Sequence, residues 1–265
     1  MTTTDTVTAG RWDAVATRRG GGLSGAVQSE WVKLRSVRST WWCLALTAVT
    51  LSAHAFPYAA SYAVPGRTVA IGEPGLFGAT LAQVPIIALA MLAVTAEYGS
   101  KSIEATLRWV PVRRRVVLAK AIVVVGTAFV AGVISGALAA GAAYFGAGVQ
   151  AEVVPAELAV DVGTAAIYFA GVAALTVGVG FLLRSTVWTF GIVVAVTLIL
   201  PGLLVGSGND LLRSLGEISP GAAGSVFLHE SANDPYSAAV GAAVLAAWAI
   251  GSLTLGAALL ARRDA

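Results

Sequence analysis

Six stretches of this 265-residue chain are long and apolar enough to cross a bilayer: 41–62, 76–96, 121–145, 162–183, 187–205 and 237–261. Crossing the hydrocarbon takes about 20 residues in a helix. Lipid offers no partner to an open backbone, and no run in the chain alternates with the period of a strand, so the spans are read as helices. An even number of spans returns both termini to one side. Lys and Arg are retained on the cytoplasmic side of a membrane. Fifteen of the seventeen Lys and Arg fall before the first span, between the second and third, after the fourth or after the sixth, and only Arg67 and Arg213 lie in the other connections. The expectation is an all-α polytopic membrane protein with six transmembrane helices and cytoplasmic N and C termini.

Composition agrees: 57% of residues are hydrophobic and 12% charged, with a mean hydropathy of +0.80. A soluble domain carries about 25% charged residues. The sequence pI near 9.2 comes from basic residues at span ends. Orientation explains it, and the partners expected are membrane lipids rather than nucleic acid. Cys43 is the single cysteine, which excludes an internal disulfide and leaves no thiolate metal site. The first span is too long for a signal-peptide core and follows about forty mostly polar residues, so it is expected to stay as an anchor.

Residues 1–23 are read as a disordered cytoplasmic tail, leaving 24–265 as the membrane domain. Within 24–40, Val27, Trp31 and Leu34 recur at i, i+4 and i+7. Lys33 and Arg35 fall off that face, and Glu30 belongs to the same helix. The pattern predicts an amphipathic helix along the membrane interface before the first span, with Trp41 and Trp42 at headgroup level.

The connection 97–120 is the most patterned. It holds Lys101, Arg108, Arg113, Arg114, Arg115 and Lys120. Ile103, Leu107 and Val110 share one helical face; Glu97, Lys101, Glu104 and Arg108 share the opposite one. Glu97–Lys101 and Glu104–Arg108 are i,i+4 pairs with the acid first, the favourable order. Pro111 should stop the helix. The reading is a short amphipathic helix over 97–109 across the cytoplasmic end, with an apolar face suited to another protein's groove.

The longest connection on the other side, 206–236, holds two weakly apolar pieces, 211–218 and 222–228, broken by Ser219-Pro220-Gly221. They suit two short helices dipping back toward the membrane. Pro85 should kink the second span. Gly132/Gly136 and Gly202/Gly206 have GxxxG spacing, which lets helices approach closely. Arg184-Ser185-Thr186 is a tight turn between the fourth and fifth spans.

Several chemistries lack their residues. There is no GxxxxGK[ST] phosphate loop, no HExxH and no GxSxG. His54 and His229 have no ligand companions in the sequence. No ionisable residue sits in the middle of a span, which weighs against a proton- or sodium-coupled carrier. His54, Thr80 and Gln83 are the polar side chains at depth and the candidates for contact with a transported compound.

SEWVKLRSVRSTWW, from Ser29 to Trp42, resembles the approach to the first span in actinobacterial ATP-binding-cassette (ABC) transporter permeases of the type-2 exporter class. Glu97-Tyr98 at the end of the second span, a short helix after it and then VPVRRRVVLAK are also similar to that group. Members often carry Gly-Thr two residues after a basic position in this loop, where Lys101-Ser102 stands here. The resemblance covers 24–120 by motif and the remainder by span count and order.

It implies the transmembrane subunit of an ATP-driven exporter in the bacterial cytoplasmic membrane, paired with a second permease subunit, alike or different, and with two copies of a separate cytoplasmic ATPase. ATP and Mg would be bound by the ATPase, and no cofactor by this chain. ATPase coupling would fall to Glu97, Tyr98, Lys101, Ile103, Glu104, Leu107 and Arg108, and to the helix bearing Val27, Glu30, Trp31, Lys33, Leu34 and Arg35. The apolar spans suit a hydrophobic or amphipathic cargo such as a drug, antibiotic, peptide or lipid. Two other readings are an ion-coupled carrier or channel acting alone and a non-transporting sensor or assembly component; flux by the lone chain without nucleotide would favour the first.

Overall fold

A computed structural model describes residues 22–99 and 113–262. The described chain is helical almost throughout. It contains α1 (Leu23–Ser36), α2 (Arg38–Tyr62), α3 (Glu73–Gly99), α4 (Arg113–Ala147), α5 (Pro155–Leu183), α6 (Thr186–Val194), a π-helical turn (Ala195–Ile199), α7 (Leu200–Val205), α8 (Asp210–Glu217), α9 (Pro220–Leu228) and α10 (Ala238–Arg262). Among the described residues, six helices are long and apolar enough to cross a membrane: α2, α3, α4, α5, the continuous α6–π–α7 rod and α10.

The sequence-predicted spans recur with longer ends. α4 begins at Arg113 rather than near 121, because its first turns carry arginines that read as loop. α5 begins at Pro155 rather than 162, with Pro155 in the first turn, where its missing N–H costs no hydrogen bond. Pro57 and Pro85 sit inside α2 and α3 without ending them.

α5 is the central helix: 67% of its most apolar stretch is buried, against 17% for α6–π–α7. Small residues set the close approaches. A Cβ on Gly132 would lie 2.5 Å from the Ala166 Cα, and one on Gly136 would lie 3.4 Å from the Val162 Cα, so the first GxxxG face is spent on α4–α5 packing. α10 runs parallel to α5, and a Cβ on Gly178 would sit 2.3 Å from Ser252 Oγ. The second GxxxG behaves differently. Gly202 has nothing within 4 Å and Gly206 meets only the Gly202 carbonyl of its own helix.

The π turn has a local cause. Pro201 has no N–H to give the Thr197 carbonyl, its α-helical partner, and the Leu200 N–H reaches back to Ala195 O, five residues away. Gly221 of α9 packs on that carbonyl so closely that a Cβ there would lie 2.2 Å from Thr197 O.

The pieces 211–218 and 222–228 form α8 and α9. The Asn209 side chain accepts hydrogen bonds from the Leu211 and Leu212 amides, and Ser219 accepts one from Ala222. α9 is buried beside α5, the π turn and α10, and a Cβ on Gly224 would touch the Tyr168 ring, near the middle of α5, at 2.5 Å. One detail departs from helices alone: β1 (Val69–Ala70) and β2 (Ala151–Glu152) pair in parallel and tie the connection after α2 to the one after α4.

Candidate functional site

Four charged side chains from three helices meet at the bundle end where α3 stops and α4 starts. α1 is amphipathic, but its buried stripe is Ala26, Glu30 and Leu34 rather than the expected Val27, Trp31 and Leu34. Val27 packs partly against the core, while Trp31 is 48% exposed and Arg35 is exposed. The face is rotated because Glu30 is drawn inward by Lys120. α1 ends at Val37, in extended backbone. Thr40 Oγ1 donates to Leu34 O and Trp41 Nε1 to Arg35 O, satisfying two end carbonyls of α1 and fixing its angle to α2.

Lys120 is 2% exposed, within the first turns of α4. An ammonium has three protons to place. Those of Lys120 go to Glu30 Oε2 at 2.5 Å, Ala93 O at 2.8 Å and Glu97 Oε1 at 3.1 Å. Lys33 adds bonds to Glu30 Oε1 at 2.6 Å and Glu97 Oε1 at 2.9 Å. Among the described residues, two carboxylates and two ammonium groups balance in charge. Burial by itself would lower the pKa of Lys33, but its hydrogen bonds to Glu30 and Glu97 outweigh burial and the net shift is upward, so Lys33 stays charged. A buried charge without its partner is costly, so α1, α3 and α4 are obliged to move together at this end.

Glu97 is therefore an internal residue, 8% exposed, rather than part of a solvated face. Its neighbour Tyr98 turns toward the α5–α6 turn. Arg184 caps α5 in the left-handed region, at φ 52°, and its guanidinium lies 5.3 Å from the Tyr98 ring centroid. Thr186 Oγ1 donates to Thr95 Oγ1 at 2.9 Å, a second bond between this turn and α3. Among the described residues, Glu97 Oε2, Tyr98 OH and Arg184 Nε and Nη2 are buried without a hydrogen-bond partner. All flank the point where α3 ends. Of the expected helix over 97–109, residues 97–99 continue α3, and the remainder, with Lys101, Ile103, Glu104, Leu107 and Arg108, lies outside the described residues.

The three polar residues at depth have separate surroundings. His54 Nδ1 bonds Thr50 O at 2.8 Å, and its Cβ sits against Gly78 of α3. Gln83 is fully buried; its amide donates to Thr80 O and its carbonyl accepts from Tyr168 OH at 2.9 Å. Gln83 and Tyr168 thus form a polar contact between α3 and α5.

Lys120 is the residue that sequence reasoning misplaced, by counting it as loop charge. The signal was present: Lys120 stands alone between VVLA and AIVVV, and a lone ammonium in an apolar run needs a partner. Among the described residues, no three His, Cys, Asp or Glu side chains gather to hold a metal ion. Comparison with protein-family models and with curated proteins finds no match.

Proposed function

We propose that this chain is the transmembrane subunit of an ATP-driven exporter whose ATPase is a separate cytoplasmic protein. The observation that carries the reading is the Glu30–Lys33–Glu97–Lys120 cluster. It locks α1 and the start of α4 to the last turn of α3, immediately before the basic amphipathic stretch that begins at Lys101. A push on that stretch would reach three helices at once through ion pairs that join Glu30, Lys33, Glu97 and Lys120. The sorting of Lys and Arg supports cytoplasmic termini, with the cluster and α1 at the cytoplasmic surface of a bacterial membrane. The chain has no phosphate loop and no ionisable group at mid-span, so energy comes from a partner, with ATP and Mg on that partner. The binding of ATP would shift populations between inward- and outward-open arrangements. The cargo class that suits the apolar spans is hydrophobic or amphipathic.

Glu97→Gln tests the reading. It removes one carboxylate charge while keeping the side-chain volume. The expected result in the assembled transporter is retained assembly with reduced cargo-stimulated ATP hydrolysis. Hydrolysis and transport equal to the unsubstituted protein would remove the coupling role from the cluster.

A further inference from the structure

At the end of the bundle opposite the charge cluster, the connections hold two basic residues, Arg67 and Arg213. Arg213 is paired: its Nε donates to Glu217 Oε1 at 2.9 Å. Arg67 is exposed and makes no ion pair among the described residues; its guanidinium lies 5.2 Å from the Tyr62 ring centroid instead. It lines a cavity of about 70 Å³ together with Tyr58, Tyr62, Thr68 and Glu73. Glu73, the first residue of α3, is also exposed and also makes no ion pair among the described residues. The two opposite charges thus share one cavity without closing on each other. Its walls are fixed by other contacts. The Tyr58 ring stands 4.7 Å from Tyr62 and 4.4 Å from Phe77, centroid to centroid. Gly66, at φ 83°, turns the chain so that Arg67 N donates to Val64 O. The β1–β2 pairing and the bond from Ile71 N to Glu152 O hold the residues that follow.

We infer that this cavity holds the headgroup of a zwitterionic phospholipid whose cation is a primary ammonium, as in phosphatidylethanolamine. Phosphate would lie at Arg67 and the ammonium at Glu73, beside the two tyrosine rings. Opposite charges held apart are complementary to a molecule that carries both. Asp161 of α5 strengthens the acidic side, its Oδ2 occupying the place a Cβ on Gly72 would take. That field disfavours a headgroup with net negative charge. A primary ammonium has three protons to donate to a carboxylate and hydroxyls, and a quaternary one has none. Three observations select a lipid over a free solute. Tyr62 ends one span and Glu73 begins the next, so the cavity stands where both helices leave the hydrocarbon, the depth at which tyrosine gathers. Glu73, Phe77 and Leu81 follow at four-residue steps on one face of α3, and Phe77 and Leu81 are 44% and 51% exposed, an apolar track for an acyl chain below the headgroup. The cavity itself has room for a small polar end group, which leaves the chains outside on that track. The site is a fixed one at the surface, distinct from any cargo, and does not depend on what powers the chain.

Native mass spectrometry of the full chain in mild detergent tests this by titration with dioleoyl phosphatidylethanolamine, phosphatidylcholine and phosphatidylglycerol. The expected result is one phosphatidylethanolamine bound about ten-fold more tightly than either other lipid, the difference that one charge-assisted hydrogen bond makes. Arg67→Gln and Glu73→Gln should each weaken it by a similar factor, and Arg213→Gln should leave it unchanged. Equal affinity for the three lipids, or unchanged affinity in both cavity variants, would overturn the inference. So would phosphatidylglycerol binding more tightly than phosphatidylethanolamine, because the cavity would then be a simple anion site. Free phosphoethanolamine displacing the lipid at equal concentration would assign the cavity to a solute and overturn the lipid. Amide hydrogen exchange of the unsubstituted protein gives a reading without substitution. Exchange across 64–74 should be slower in nanodiscs of phosphatidylethanolamine and phosphatidylglycerol than in discs with phosphatidylcholine in place of the first. Equal exchange in the two would overturn the inference.

Discussion

Lys120 holds two carboxylates that would otherwise stand in an apolar helix contact. Lys120→Met keeps the stem and removes the charge, leaving Glu30 and Glu97, among the described residues, with the part-exposed Lys33 between them. Breaking one side of a buried ion network costs roughly 3–5 kcal/mol. Thermal unfolding in detergent should therefore show a clear drop in Tm for Lys120→Met. The triple variant Glu30→Gln, Glu97→Gln, Lys120→Met should recover much of it, because the one charge of the four that remains, on Lys33, is part-exposed. An unchanged Tm for the single variant would mean that the cluster is solvated. His229 gives a second residue-scale test, this one in pH. It stacks on Phe77, with ring centroids 4.2 Å apart, and its Nε2 is buried without a partner among the described residues. Burial pulls its pKa below the ordinary 6.5, more strongly than the Leu76 backbone and Asp234 raise it. The unfolded chain then binds the proton more readily than the folded one. The His229 contribution is thus fully present above pH 6.5 and is lost as pH falls from there through the folded pKa. His229→Phe should flatten the acid side of a Tm-versus-pH curve. Equal slopes for the two proteins would remove His229 as the cause. Glu30 and Lys33 are i,i+3 neighbours, but the partners that tie the helices together are far apart in sequence: Glu30 and Lys120 are 90 positions apart. That separation is why the pairing escaped a reading confined to i,i+4 neighbours.

At the scale of elements, glycines separate contacts that carry packing from surfaces that do not. Gly178→Ala would drive a methyl group into the Ser252–Leu253 backbone of α10, whose nearest atom is 2.4 Å from the ideal Cβ. Overpacking of this kind costs about 1–3 kcal/mol, and beside the Ser252 hydroxyl the obstructing atoms here include main chain, which cannot rotate aside. Gly202→Ala, in open surroundings, should be neutral or stabilise by up to about 1 kcal/mol through helix propensity. Paired denaturation curves in detergent check both; a large loss at Gly202 would mean that α7 is covered by something beyond this chain. Sequence spacing gave Gly132/Gly136 and Gly202/Gly206 the same status. Only packing shows that the first pair faces α5 and the second faces outward. The six spans were legible because length and apolarity survive any rotation of a helix about its axis. The rotation of α1, the eight-residue error at the start of α4 and the π turn before Pro201 were not. Each depends on what the helix meets rather than on what it contains.

For the molecule as a whole, the described residues form a bundle of six membrane-length helices in which α5 is the most buried, with α9 wedged into one end and a charge cluster joining three helices at the other. Membrane embedding was readable from composition alone, since 57% hydrophobic residues and six apolar runs admit little else. The role proposed for the chain rests on the coupling stretch beyond Gly99, on the cluster behind it and on the resemblance of 24–120 to exporter permeases. The most direct measurement is photolabelling with azido-ATP of the complex purified from its native membrane in mild detergent. The account predicts label on a separate polypeptide that co-purifies with this chain, and none on this chain. Label on this chain, or no labelled polypeptide in the complex, would contradict it.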